Sequence, residues 1–224
     1  MRDVPGRQVP VNGRTVYVEQ SGQGQDWVVF EAGAGCGRTC WDPVLPPLAG
    51  AARLVAYDRA GRALSGPATR QLSIDDMAAD LVAMTEAIVP GEFVLVAHSM
   101  GGLVARAWLR SRATHKRSDG TDEAARLITI GTPHRGTWLA GLARTVNARQ
   151  MRMSSAWMRT LVDKEPATLQ GLITSWWSEC DQIVYPPPTA VYPGSEAKQL
   201  RGVGHIALTA REEVWNEIRR RIDY

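Results

Sequence analysis

The sequence predicts an α/β fold, a mainly parallel twisted sheet with helices on both faces. Two observations carry that prediction. Apolar strand-like runs alternate with helix-compatible segments along nearly the whole chain, the order that builds a parallel sheet covered on both sides. In addition, the run Phe93-Val94-Leu95-Val96-Ala97 shows no polar alternation, as a strand buried on both faces requires. It passes through His98-Ser99-Met100-Gly101-Gly102 into the proline-free, helix-compatible stretch from Leu103 to Leu109.

The elements follow in order. Asn12-Gly13, between Gln8-Val9-Pro10-Val11 and Thr15-Val16-Tyr17-Val18, is a tight-hairpin signal because both turn residues tolerate positive φ, so the sheet begins antiparallel. Trp27 to Glu31 is the next strand and leads into Ala32-Gly33-Ala34-Gly35-Cys36-Gly37. Arg53 to Tyr57 is a core strand, and Ser73 with Asp76 opens a helix as N-cap and acidic first turn. Later strands are expected at Phe93–Val96, Leu127–Ile130, Leu172–Trp176 and Gln199–Val203, with a last helix from about Thr209 to Ile222. The stretch from Trp138 to Gln170 reads as a pair of amphipathic helices packing on the sheet. Met151, Met153, Trp157 and Met158 there are adaptable or broad apolar side chains that are candidates to line a substrate pocket. There is no internal repeat or low-complexity linker, and 224 residues with 44% hydrophobic content fit a single domain spanning 1–224.

Ser99 is the candidate nucleophile. A serine at a sharp strand-to-helix corner is held in a strained backbone conformation with its hydroxyl pointing away from the sheet, which only small neighbours permit. Gly101 and Gly102 supply that room, and Ala97 stands at the first position of the usual G-x-S-x-G pattern. A serine that merely caps the next helix would explain the hydroxyl, but not the glycines and the apolar strand together.

With this Ala-His-Ser-Met-Gly elbow, the chain resembles the α/β-hydrolase superfamily, and in particular its small bacterial lipases and esterases, over almost its whole length. The resemblance implies the α/β-hydrolase fold with a small or absent cap, here within 138–170. It also implies a Ser-Asp-His triad in chain order, an oxyanion hole and no cofactor. The base should follow the last strand, which selects His205 in Gly202-Val203-Gly204-His205 over His98, His115 and His134. His98 adjoins the serine, so its side chain should splay away from the hydroxyl; His115 lies in the polar stretch from Arg112 to Asp122. The acid is then Asp181, opening Asp-Gln-Ile-Val-Tyr-Pro after an apolar run, with Glu179 as the weaker choice. Asp119, Asp122, Glu123, Asp163 and Glu165 are expected on solvated edges.

The oxyanion donors implied are the backbone N–H of Met100 and, by position in the early glycine loop, of Ala34. The family's loop commonly carries a bracing histidine where this chain has Ala32, which leaves its rigidity to be supplied otherwise. A phosphate-cradling reading of the same loop fails because no Lys-Ser/Thr follows it. Gly131-Thr132-Pro133-His134-Arg135-Gly136 looks like the G-T-P-H-x-G loop of lipase relatives, an architectural element. Tyr57 to Ser65 resembles the D-x-x-G-x-G-x-S turn with Ala63 at the second glycine, so Asp58 is expected to be a structural anchor.

These residues point to a serine hydrolase cleaving carboxylic esters of short to medium acyl chains, a small cap suiting soluble substrates. A long-chain triacylglycerol lipase, an amidase or thioesterase, and a non-catalytic binding module are the other readings. A serine at the elbow argues against the haloalkane and epoxide chemistry that uses aspartate there. The formal net charge of +3 is small and scattered, which gives no support for nucleic-acid binding. No apolar run is long enough to span a membrane, and the first residues lack a signal-peptide core, so a cytoplasmic location is expected. Cys36, Cys40 and Cys180 are expected to be reduced, and no metal site is expected because no second Cys or His pair sits at ligand spacing.

Overall fold

The computed structural model describes residues 6–112, 124–165 and 167–222. Strands β1 (Arg7–Val11), β2 (Arg14–Gly22), β3 (Trp27–Glu31), β4 (Arg53–Asp58), β5 (Phe93–His98), β6 (Ala124–Ile130), β7 (Ile173–Trp177) and β8 (Glu196–Gln199) form one sheet. Its order is β1-β2-β4-β3-β5-β6-β7-β8. Pairs β1/β2 and β2/β4 are antiparallel, and every later pair is parallel. The hairpin between β1 and β2 turns through Asn12 (φ 45°) and Gly13 (φ 75°), as Asn-Gly predicts.

The pleat divides the core in two. Val29, Val55, Leu95, Ala97 and Leu127 point to one face, under helices α2 (Ile74–Ile88) and α3 (Met100–Arg112). Val28, Phe30, Leu54, Val94, Val96, Ile128 and Ile130 point to the other, under α1 (Leu45–Leu48) and α6 (Glu212–Ile222). Every residue of β5 is therefore buried, and this strand delivers Ser99 at the centre of the sheet's C-terminal edge. Helix α2 opens with a reciprocal capping box, Ser73 accepting from the Asp76 N–H while Asp76 accepts from the Ser73 N–H.

Between β6 and β7 the chain forms short pieces rather than two full helices: a 3₁₀ turn at Trp138–Leu142, α4 (Val146–Met151), α5 (Ala156–Asp163) and a second 3₁₀ turn at Ala167–Leu172. They are pinned to the N-terminus of α2, where Gln150 accepts from the Ile74 N–H and Trp157 Nε1 donates to Asp75 Oδ2 at 2.6 Å.

Several boundaries differ from expectation, two of them in the last elements of the chain. The last strand is Glu196–Gln199 instead of Gln199–Val203, because it is an edge strand carrying Glu196 and Lys198 and lacks an apolar alternation. The apolar Leu200 and Val203 lie beyond it, buried against α6 in the run-in to His205. The final helix starts at Glu212, preceded by a 3₁₀ turn at Ala207–Ala210. His115, Asp119, Asp122 and Glu123 lie outside the described residues.

Candidate active site

Ser99 follows β5 with φ 56°, the left-handed region that costs a non-glycine residue roughly 1–2 kcal/mol. The surroundings hold it there: its N–H donates to the Ile130 carbonyl at 2.8 Å, and its carbonyl accepts from Gly102. The following glycines are required by contact. A Cβ on Gly101 would stand 2.5 Å from the carbonyl oxygens of both Glu31 and Ala32, and one on Gly102 would collide with the Thr132 side chain. At Gly101 the obstacle is backbone, which a rotamer change cannot relieve.

Asp181 and His205 are brought together from loops beyond β7 and β8. His205 Nδ1 donates to Asp181 Oδ2 at 2.7 Å, while Oδ1 accepts from the N–H groups of Ile183 and Val184, both at 2.8 Å. Burial by itself would raise the Asp181 pKa, but the His205 hydrogen bond and charge, with the two amides, outweigh it and hold the carboxyl below its usual range. The acid is thus ionised and accepts from Nδ1 of His205, so Nε2 is the ring nitrogen that this contact leaves free. This pair lies close against the backbone that holds the serine. A Cβ on Gly131, the residue after Ile130, would be 3.1 Å from His205 Nδ1 and 3.2 Å from Asp181 Oδ2.

His98 does not simply turn away. Its ring packs 4.7 Å from that of His205, and its Nε2 donates to the His205 carbonyl at 3.2 Å. Burial first, and then the neighbouring His205, push its pKa down to about 3. A buried histidine that stays neutral in the folded state leaves the unfolded chain to bind protons first. Its stabilising contribution is complete above the ordinary value of 6.5 and is lost as pH falls toward 3. We expect urea midpoints measured between pH 7 and pH 4 to fall by the equivalent of about 1 kcal/mol per pH unit for each such histidine, and His98→Gln to flatten that slope. His134, also shifted well down by burial, should contribute in the same direction. An acid slope unchanged in His98→Gln would show that His98 is protonated in the native state.

Met100 opens α3, so its N–H is among those the helix leaves without an internal acceptor. Ala34 is exposed at the tip of the loop after β3. The brace that the missing histidine would supply comes from elsewhere. Arg59, only 7% exposed, donates from Nε to Glu31 Oε1 at 2.7 Å and from Nη1 to the Gly33 carbonyl at 3.0 Å. Its Nη2 bonds both Glu31 and the Ala32 carbonyl, and Tyr57 closes the network by donating to Glu31. Burial disfavours the guanidinium, yet the Glu31 charge more than compensates, so Arg59 stays protonated.

The architectural expectations can be placed as well. Asp58 is fully buried and accepts from the N–H groups of Arg38 and Leu64 and from the Arg38 guanidinium. Ala63 adopts φ 40°, the glycine-type conformation its position in the turn suggests. His134 Nε2 lies 3.0 Å from Thr129 Oγ1, and Arg135 donates to the Pro188 carbonyl. Glu165 departs from expectation. It is no solvated edge residue but pairs at 2.7 and 2.8 Å with Arg106, which is buried in α3 and also donates to the His134 carbonyl. Glu179 is turned toward Gln199 and Gly202, at the surface. The three cysteines are free thiols, and burial raises Cys40 to about 12, which leaves it unreactive at neutral pH.

A cavity of about 490 Å³ opens beside Ala34 and Met100, lined also by Arg59, Arg62, Arg70, Gln71, Leu72, Met77, Thr145 and Asn147 among others. Met151, Met153, Trp157 and Met158 are not among its lining residues. Met158 is buried in the core, Met151 and Trp157 pack against that core, and Met153 lies at the surface. The side chains of Met151, Trp157 and Met158 cover the sheet face and the α2 terminus, and it is the N-terminal residues of α4 that reach the cavity.

The sequence profile of the alpha/beta hydrolase family matches residues 28–163, more than half of the chain. The chain belongs to that family. The solved structures agree on the fold. An esterase from Thermogutta terrifontis, solved with malate bound, is 19% identical with a TM-score of 0.70, covering 98% of this chain and 100% of that one. A meta-cleavage product hydrolase from Pseudomonas fluorescens is 13% identical with a TM-score of 0.69, covering 97% and 96%. The carboxylesterase CesB from Bacillus subtilis is 15% identical with a TM-score of 0.64, covering 96% and 90%. Among curated protein sequences, none matches this chain. Among the described residues, no helix is long and apolar enough to cross a membrane, and no group of three or more His, Cys, Asp or Glu could hold a metal ion.

Proposed function

We propose that this family member is a cofactor-free serine hydrolase that cleaves carboxylic esters of short to medium acyl chains through an acyl-enzyme on Ser99. In this reading it is one domain over 1–224 with a minimal cap within 138–170. The observation that carries the reading is the ionised Asp181 bonded at 2.7 Å to Nδ1 of His205, beside a nucleophile elbow at φ 56°. That pairing leaves Nε2 of His205 as the base. It takes the Ser99 proton as Oγ attacks the ester carbonyl, and the N–H groups of Met100 and Ala34 receive the oxyanion. His205 then protonates the departing alcohol, and a water activated by the same nitrogen releases the acid and restores Ser99.

One observation favours a second reading, a lipase acting on long chains at an interface. Trp138, Leu142 and Ile206 are 61%, 87% and 64% exposed, Ile206 adjoining His205 and Trp138 bonded to the loop that carries Asp181. Hydrolysis of p-nitrophenyl esters from acetyl to palmitoyl, run beside Ser99→Ala, separates the two. Turnover greatest at short chains and absent in Ser99→Ala is the expected result; a long-chain optimum would establish the lipase. Organophosphate labelling that persists in Ser99→Ala would move the nucleophile elsewhere, whereas absence of labelling in the wild type would revive the binding-module reading.

A further inference from the structure

The cavity beside the oxyanion donors differs in chemistry from the apolar rim on the His205 side. It is lined by Ala34 and Met100 but by neither Asp181, His205 nor Ile206. Resting on the ester reading above, this position assigns its contents. The carbonyl oxygen must face the two amides and the leaving alcohol must face His205, so the cavity receives the acyl substituent.

Its lining includes three arginines and no carboxylate. Two of them are already neutralised. Arg59 is spent on Glu31 and the loop carbonyls, and Arg70 grips Asp76 through two bonds at 2.6 and 2.7 Å. Arg62 is different: it is a solvent-exposed member of the cavity lining, among the described residues it forms no ion pair, and it follows the Arg59 brace by three residues in the turn after β4. Polar side chains complete that side of the cavity. Asn147 lies against Met100, with its Nδ2 3.4 Å from Sδ, and Thr145 donates to Asn147 Oδ1. Gln71 accepts from the Val146 N–H, so α4 is held over the opening. A wall carrying one uncompensated guanidinium and several hydrogen-bonding groups is poorly suited to a fatty acyl chain and well suited to an anion.

We propose that the acyl part of the substrate carries a negatively charged terminus, which Arg62 holds, so that the substrate class is the half-ester of a short dicarboxylic acid or an ester of equivalent charge. The reaction is unchanged: the ester bond breaks, water supplies the hydroxyl, and the product is a dianion. The wild-type protein would be assayed by proton release on the monomethyl esters of succinic, glutaric and adipic acids, each beside the methyl ester of the uncharged acid of equal chain length. A kcat/KM at least tenfold higher for the charged member of one pair is expected. Arg62→Gln should bring the two rates of that pair within about threefold, Arg62→Lys should keep most of the preference, and 0.5 M sodium chloride should reduce it. Equal rates within every pair in the wild type, or a preference untouched in Arg62→Gln, would overturn the assignment while leaving the esterase reading standing. Absence of turnover on both series, together with absence of organophosphate labelling at Ser99, would overturn both.

Discussion

Asp181→Asn should lower kcat by about four orders of magnitude while leaving KM and thermal stability nearly unchanged, as in serine triads whose acid is replaced by its amide. The reason lies in how the carboxylate is held. Oδ1 is fixed by two backbone donors, Ile183 and Val184 at 2.8 Å, so in the variant that position must remain an oxygen. The amide nitrogen is then placed where Oδ2 stands, facing His205 Nδ1 at 2.7 Å. Two donors cannot share that contact, so the imidazole adopts the other tautomer, with its proton on Nε2, the atom that must accept from Ser99. The side chain cannot escape by flipping, since that would set its NH₂ against two N–H groups. Steady-state kinetics on a soluble ester, with melting curves beside them, check this. A loss of tenfold or less would mean that another acid orients His205.

Much of this site was legible in the sequence because its parts are local or simply ordered. The elbow needs only a strand, a serine and small neighbours, and the contacts of Gly101 and Gly102 explain why nothing larger fits. The hairpin at Asn12-Gly13 and the helix start at Ser73 are set within four residues, and both form where their signals lie. What could not be read depends on partners far apart in sequence. Glu31 ends an apolar strand beside a glycine loop, and a carboxylate there demands a buried cation. That demand is a signal, but which arginine answers it is decided only when β3 and β4 pair. The cavity is of the same kind, since Arg62, Arg70 and Asn147 meet through tertiary packing. The strand at Glu196–Gln199 was hidden for a different reason: an edge strand protected by charge shows no apolar pattern to detect.

The second large effect should come from Arg59, which contacts no reacting atom in the proposed mechanism and acts by positioning the loop that carries the Ala34 donor. Its guanidinium binds the carbonyls of Ala32 and Gly33, fixing the two peptides that precede Ala34. Removing one oxyanion donor from a serine hydrolase typically costs about 10²–10³ in kcat. Arg59→Met should approach that figure with little change in KM, because the oxyanion exists only in the transition state. The single variant also strands Glu31 as a buried carboxylate with Tyr57 as its remaining donor, a loss of about 3–5 kcal/mol that could mask the catalytic effect by unfolding the protein. The pair Glu31→Gln/Arg59→Met removes both charges and separates the two consequences. Melting temperature should recover toward wild type in the double variant while kcat stays depressed, and a boronic acid that mimics the tetrahedral adduct should bind it correspondingly more weakly. If kcat instead recovers along with stability, Arg59 serves only to neutralise Glu31, and the loop holds its shape without it.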